Sequence, residues 1–509
     1  MMGPHLAILP ILLPLAAGAL VLMSERRGLV VQRTLAMASM VALLAIAIAL
    51  VVRAGNDEVL VYLLGDWPAR LGISLMADRL SALMVLTAMM LALPCLLYAC
   101  AGWDQRAPHF HALFQFQLAG INGAFLTADI FNLFVFFEVM LIASYGLMLS
   151  GGRNVRMRVG LHYVVFNVTA STLFLIALGL LYGMLGTLNM AEMALRVSQA
   201  PADNLPIIQA AGGMLLLVFC AKAALLPLYF WLPEAYTRAP AAIAALFAIM
   251  TKVGLYAVLR VGTLIFGSLA GPLAGFAWRW LLPLGLATLV LASLGVMAAT
   301  RLRALVAWLV LVSAATLFIA FSLAQPDTIA AGLYYLVHST FIAAALFLIA
   351  DLVRRSRGDA GDRLGVIAAI RKRGVVGGVF LVAAVSVAGL PPLSGFLGKV
   401  MLLDAVPAAQ SSWIWTAVLL SSLIVIAALA RAGSALFWRI DDDMVAVRRP
   451  VRVAETTSVL LLLAYGVAMT VAAAPVLGYA RKAADQLLAP QAVIERVQQT
   501  LPLYREPAR

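Results

Sequence analysis

Five side chains in this sequence are of types that carry protons and stand inside long apolar runs: Glu138, Lys222, Lys252, His338 and Lys399. Lysine is scarce, five residues against 31 arginines, and three of the five lie in such runs. A lysine at mid-bilayer costs about 2.5–3.5 kcal/mol on insertion scales, so it is paired or functional. Arginine keeps its charge at any relevant pH, whereas a desolvated lysine can lose its proton. Arginine in the loops and lysine in the spans is therefore a pattern of side chains placed to titrate. Glu138, in FNLFVFFEVMLIASYGL, is the only glutamate deep in a predicted span, and Lys222 is its expected partner. While that carboxylate is ionised the lysine stays protonated; protonating or removing it releases the lysine's proton. His338, near Ser339 and Thr340, is a candidate relay because histidine titrates near neutrality. His162, Thr169 and Ser171 are candidates to hold waters, and Asp129 and Glu234, near span ends, to act as uptake or coupling sites. The competing reading of all these residues is static: hydrogen bonds or buried ion pairs that tie helices together.

The elements that must position them follow from composition. Of 509 residues 64% are hydrophobic and 12% charged, with mean hydropathy +1.01. The apolar runs repeatedly exceed the roughly 20 residues that a bilayer-spanning helix needs. This predicts an all-α polytopic membrane protein. Spans are expected near 4–23, 30–52, 80–100, 109–127, 130–150, 159–184, 206–231, 240–265, 279–299, 303–323, 328–351, 375–403, 412–437 and 455–478, fourteen in all. The first has no basic residues before its apolar core, which marks a retained span starting outside rather than a cleaved signal.

Charge supplies a second line of argument. With the N-terminus outside, the loops after odd-numbered spans hold 21 of the 36 Lys+Arg and the loops after even-numbered spans hold six. That bias fits arginine-rich loops facing the cytoplasm, and it accounts for the net charge of +13 without a nucleic-acid partner. Arg431 in the thirteenth span is expected to snorkel to the interface. The tail beyond Gly478, with Leu487, Leu488, Val493, Ile494 and Val497 among polar residues, is expected as an amphipathic helix on the outer surface or on a partner.

Two spans are interrupted. FCAKAALLPLYFWLPEAYTRAP (219–240) carries Lys222 ahead of Pro227 and Pro233, and AGLPPLSGFLGKV (388–400) carries Pro391 and Pro392 ahead of Lys399. Proline inside a helix frees backbone carbonyls, which membrane depth tolerates only where protein or a cavity satisfies them. Paired breaks five spans apart point to inverted repeats of the transporter kind. The expected division is 1–108 for helices 1–3, 109–265 for a first repeat (helices 4–8), 279–440 for a second (helices 9–13), and 441–509 for helix 14 and the tail. Cys95, Cys100 and Cys220 have no disulfide or metal spacing, and no phosphate loop, nucleophile elbow or haem-ligand pair occurs. No cofactor or metal is expected, and the energy source is an ion gradient or a partner.

The segment around Glu138, AKAALLPLYFWLPEAY, TKVGLYAVLR around Lys252, the His338 span and LPPLSGFLGK together resemble the antiporter-like proton-translocating family. That family holds the large membrane-arm subunits of respiratory complex I and the two large subunits of Mrp (Mnh/Pha)-type cation/proton antiporters. The resemblance covers roughly residues 70–440 and is strongest to the D-type antiporter subunits. It implies fourteen helices, two inverted five-helix repeats with helices 7 and 12 broken, and a polar axis at mid-membrane. It also implies that Glu138, Lys222, Lys252, His338 and Lys399 translocate protons in exchange for Na⁺ or K⁺. The implied setting is a bacterial inner membrane, both termini periplasmic, beside other subunits that include a larger homologous one; the implied role is secondary transport, not enzymic. The alternative is a proton-pumping subunit of a complex I-like or hydrogenase redox complex. About thirty residues follow the last span, which leaves no room for the long lateral helix of the largest complex I subunit.

Overall fold

With no water in the bilayer core to satisfy a backbone, apolar segments must satisfy their own, and helices do so within one segment. The computed structural model describes residues 5–152, 154–365, 367–368, 373–438, 440–441 and 451–502. The chain begins with α1 (Leu9–Met23), α2 (Leu29–Gly55) and α3 (Arg79–Cys100), with an antiparallel hairpin of β1 (Leu60–Leu63) and β2 (Ser74–Ala77) between the last two. Next come α4 (Phe110–Leu126), α5 (Ile130–Leu149), α6 (Asn154–Leu185) and the short α7 (Met190–Ser198). The seventh crossing is split into α8 (Leu205–Lys222) and α9 (Trp231–Arg238), and the eighth into α10 (Ala241–Phe247) and α11 (Met250–Leu264). α12 (Trp278–Ala298), α13 (Leu302–Ser322) and α14 (Pro326–Ser356) follow. The twelfth crossing is split into α15 (Arg373–Ala388) and α16 (Ser394–Ala405). α17 (Ala408–Phe437), α18 (Val453–Val471), α19 (Ala473–Leu488) and α20 (Gln491–Gln499) end the chain.

Eleven segments among the described residues are long and apolar enough to cross a membrane. With α1, α4 and the α15–α16 pair they make the fourteen expected crossings. The fourth and fifth separate where the sequence suggests: Asp129 caps α5 by accepting from Asn132 N at 2.7 Å, which satisfies one of the orphan donors of a helix start. Of the positive-loop residues counted above, Arg153, Arg371, Lys372, Arg439, Arg448 and Arg449 lie outside the described residues.

Burial sorts the bundle into layers. The apolar windows of α14 and of α10–α11 are buried throughout and that of α13 nearly so, whereas α2, α6, α12, α17 and α18 turn most of theirs outward. The central helices are therefore the ones that carry Lys252 and His338.

The two broken crossings break alike. Ala224 (φ 62°) and Gly389 (φ 78°) are left-handed, and each stands three residues before a proline with a cis peptide bond, Pro227 and Pro392. Leu225 N donates to Cys220 O at 2.9 Å and Leu390 N to Val385 O at 3.1 Å, the same five-residue reach. Beyond each proline the pattern Pro-Leu-x-x-aromatic-Leu repeats, and it ends on a charged residue at the same offset, Glu234 in one and Lys399 in the other. The two breaks thus share a backbone hydrogen-bond pattern and a local sequence pattern.

Three expectations need correction. The tail's apolar face turns onto the chain itself: α19 packs on α14, α3 and α11, and α20 on α7, with Leu487, Val493, Ile494 and Val497 buried there. Arg431 does not simply snorkel; it donates to Met297 O and Ala299 O and so caps the end of α12. Arg260, counted among loop charges, lies inside α11 and is 2% exposed. Its guanidinium grips Asp78 by two bonds of 2.6 and 2.7 Å and also donates to Ser81 Oγ and Tyr256 Oη. A positive-inside count sees an arginine near a span end; it does not see the buried carboxylate across the bundle.

Two outcomes follow from these charges. Arg260→Met strands Asp78 as a buried unpaired carboxylate, for which about 3–5 kcal/mol of stability should be lost, read as a lower melting temperature of the purified assembly. Asp104, in the turn after α3, is bound by Arg33 at 2.7 and 2.9 Å and by His111 at 3.1 Å. Burial pushes its carboxyl up, but the His111 and Arg33 bonds and the Arg33 charge outweigh it and hold the pKa at about 2. Because the folded value lies below the free one, this stabilisation is full above the ordinary carboxylate range and fades as pH falls toward about 2. A pH series of melts should show that acid limb in the wild type and lose it in Asp104→Asn.

Candidate functional site

The site forms where α8 stops. Its last turn presents Lys222, 5% exposed, toward α6. The ammonium donates to Asn167 Oδ1 at 3.2 Å, to Asn167 O at 3.4 Å and to Ser171 Oγ at 3.5 Å. Ser171 in turn donates to Glu138 Oε1 from α5. The carboxylate and the ammonium are thus joined through a hydroxyl on the helix between them rather than in a direct ion pair. The expected Glu138–Lys222 partnership is thus made through Ser171 rather than by direct contact. The donors run in one sense, from Lys222 to Ser171 to Glu138, so a proton handed from the ammonium to Ser171, leaving the neutral amine, can be matched by one passed from Ser171 to the carboxylate.

The break itself is satisfied from nearby. Trp231 Nε1, at the start of α9, donates to Ala221 O at 3.0 Å, and Leu226 N donates to Thr288 Oγ1 of α12 at 3.0 Å. α11 approaches closely because Gly254 has no side chain: a Cβ there would meet Ala223 N at 2.7 Å. Two residues before Gly254, Lys252, fully buried, donates to Ser313 Oγ of α13 at 3.1 Å.

α13 packs on α14, and α14 on α16. His338, 2% exposed on α14, is hydrogen-bonded through Nδ1 to Ser394 Oγ at 2.8 Å, the first residue of α16. Ser339 and Thr340, its sequence neighbours, instead donate back to Leu336 O of their own helix. Lys399 donates to Ala388 O, a freed carbonyl at the end of α15, at 2.8 Å and to Ser422 Oγ of α17 at 3.0 Å. At this second break the ammonium itself supplies the capping donor that Trp231 supplies at the first. All five sequence-predicted residues therefore lie on helices that pack in succession: α5, α6 and α8, then α11, α13, α14 and α16.

The secondary candidates divide. Ser171 is in the site, while His162 and Thr169 face outward on α6, where Thr169 bonds Val165 O. Asp129 is a helix cap, with burial pushing its carboxyl up to about 6 against the pull of the Asn132 backbone bond. Glu234 is exposed on α9. Cys100, Asp104 and His111 bring ligand atoms within 4.8 Å of one another, but the Arg33 guanidinium already holds the carboxylate and takes the place of a cation. Asn167, Ser313, Ser394 and Ser422 were not singled out from the sequence. Asn167 carried a usable signal, one helical turn before Ser171 on the same face, and Ser394 lies two residues past the Pro392 break. Ser313 and Ser422 carried none.

Set against known proteins, residues 127–425 match the family described as NADH:quinone oxidoreductase/Mrp antiporter, TM. The D-type subunit of a probable K(+)/H(+) antiporter from Rhizobium meliloti is 40% identical over 97% of each chain. The D-type subunit of a Na(+)/H(+) antiporter from Bacillus subtilis is 37% identical over 85% of this chain and 87% of its own. A chain of the Mrp complex from Dietzia superposes with a TM-score of 0.89 at 27% identity, covering 98% of this chain and all of its own. A chain of Thermus thermophilus respiratory complex I, at 23% identity and a TM-score of 0.78, covers 95% of this chain and 99% of its own and shares the fold. The polar residues strung through the bundle, the paired helix breaks and these similarities converge: the chain is a multi-pass membrane protein of the NADH:quinone oxidoreductase/Mrp antiporter transmembrane family.

Proposed function

We propose that this chain is the D-type, proton-conducting subunit of a multisubunit Na⁺/H⁺ or K⁺/H⁺ antiporter in a bacterial inner membrane, with both termini periplasmic. Protons pass by way of Glu138, Lys222, Lys252, His338 and Lys399. The observation that carries the reading is the directional bridge from Lys222 through Ser171 to Glu138, because a static ion pair needs no hydroxyl between its charges. Names of relatives up to 40% identical over nearly the whole chain favour antiport. Matches to chains of two redox complexes, at 22% and 23% identity, speak to the fold and give the redox alternative no separate support. The chain is a secondary-transport subunit rather than an enzyme, and it works beside other subunits, including a larger homologous one.

In this reading a deprotonated Lys222 accepts a proton arriving through the second half of the bundle. It is held charged while Glu138 is ionised, and gives the proton up along Ser171 when Glu138 takes it. The alkali cation travels elsewhere in the assembly, since Glu138 is the only membrane-embedded glutamate of the row.

Expression with the other subunits in antiporter-deficient cells, followed by cation-dependent dissipation of a pH gradient in everted vesicles, tests this. Glu138→Gln and Lys222→Ala should abolish the response with assembly intact, and a response surviving both would defeat the mechanism. Lys222→Arg separates relay from tie: it keeps the charge and the hydrogen bonds but cannot release a proton. It should therefore assemble and be inactive, by about a hundredfold or more; near-normal exchange would mean that Lys222 only ties helices together. Ser171→Ala should slow exchange by about tenfold or more while leaving the melting temperature within a few degrees of wild type.

A further inference from the structure

On the arginine-rich face, away from the row of lysines, a cavity of about 250 Å³ opens among the ends of α3, α6, α13, α14 and α18. It has room for roughly eight waters at about 30 Å³ each. Six arginines line it: Arg106, Arg156, Arg303, Arg354, Arg355 and Arg452. Two carboxylates face them, and both are already engaged. Asp351 receives Arg303 at 3.1 Å, Arg354 at 2.9 Å, Arg355 at 3.1 Å and Tyr98 Oη at 3.0 Å. Glu455 receives Arg355 Nη1 at 2.7 Å and the Arg452 backbone N–H at 2.9 Å.

Among the described residues, and with Arg156 engaged on its own partners, five guanidiniums face the carboxylates of Asp351 and Glu455, with Asp362 beside Arg303 as a third, so positive charge is in surplus around a space of limited size. Arginines needed only for topology have no reason to converge; spread over the loops they repel one another less. Hydrogen-bonding capacity is left over as well. Arg303 is 6% exposed, yet its Nε has no hydrogen-bond partner among the described residues, and neither does Trp103 Nε1 on the same wall. Arg156 stacks on that Trp103 ring, 5.1 Å from its centroid, with its Nε and Nη1 held by Arg238 O and Ser150 O. Arg106 reaches the cavity from the exposed turn before α4 and has no acidic partner among the described residues.

We infer that this cavity is an anion site, built for a phosphate group that sits among Arg106, Arg303 and Arg452 and neutralises the excess charge. The group is either free inorganic phosphate or the phosphodiester of an anionic lipid at the membrane surface. Guanidinium forks suit the charge-assisted, multidentate recognition of phosphate oxygens. A basic pocket between helix ends is also where anionic headgroups bind.

The test uses the chain purified with its partner subunits and placed in nanodiscs. One set of discs is phosphatidylcholine alone, and the other is phosphatidylcholine and phosphatidylglycerol at a four-to-one ratio. Retention of radiolabelled orthophosphate is measured by equilibrium binding, and retention of phosphatidylglycerol by native mass spectrometry. Wild type is compared with Arg106→Gln, at an exposed position with no side-chain hydrogen bond or ion pair among the described residues, and Arg303→Lys, which keeps the charge and removes the Nε donor. Saturable phosphate binding weakened about tenfold or more in either folded variant supports the site with a free anion as occupant. Phosphatidylglycerol retained by wild type, blocking phosphate and lost in either folded variant, supports it with a lipid headgroup. A wild type that retains neither, or variants that retain them as well as wild type does, overturns it.

Discussion

A charge or a freed carbonyl in the hydrocarbon layer has to be satisfied by protein, and that requirement organises this molecule. Each of the two broken crossings releases backbone carbonyls at mid-bundle, and each is met by a donor from the other side of the break, Trp231 ten residues downstream in one and Lys399 eleven residues downstream in the other. The buried cations are treated in the same way. Lys222, Lys252 and Lys399 each end on a serine of a neighbouring helix, with a backbone carbonyl or an amide added at the two breaks. Neutral hydroxyls hold an ammonium without locking it as a carboxylate would. They also serve the uncharged amine, so either protonation state is accommodated. Where the fold needs a fixed charge it uses a bidentate carboxylate–guanidinium pair instead, as at Asp78–Arg260 and Asp104–Arg33.

That division of labour links packing to function. The helices bearing Lys252 and His338 are the most deeply buried, so their polar groups face other helices and not lipid. The outer helices α2, α6, α12, α17 and α18 are apolar enough to meet lipid or neighbouring subunits. α6 is the exception that belongs to both layers: one face presents Asn167 and Ser171 to Lys222, while the opposite face, with His162 and Thr169, points outward. A single helix thereby separates Glu138 from Lys222 and connects them.

Much of this was legible in the sequence because hydropathy and proline act locally. Apolar windows located the crossings, Pro227 and Pro391–Pro392 located the breaks, and a lysine in an apolar run has few benign explanations. Serine does not announce itself. In an apolar helix it usually bonds its own preceding turn, as Ser339 and Thr340 do here, so nothing in a lone sequence separates those from Ser394, which reaches across to His338. Arg260 was misplaced for a related reason: its partner Asp78 is 182 residues away, and only tertiary packing brings them together. The tail's apolar positions were read correctly, but their target was not, because periodicity shows that a face is buried and not against what.

The central claim is that protons cross both halves of the bundle along this row. Lys252 is where the claim is most exposed, since with His338 it is one of the row's two titratable groups between the breaks and is fully buried beside Ser313. The direct measurement is cation-driven proton movement in proteoliposomes containing the purified assembly with Lys252→Met, a substitution of similar length that removes the titrating amine. The account predicts an assembled complex whose exchange falls by about a hundredfold or more. Exchange at the wild-type rate in an intact Lys252→Met assembly would contradict it.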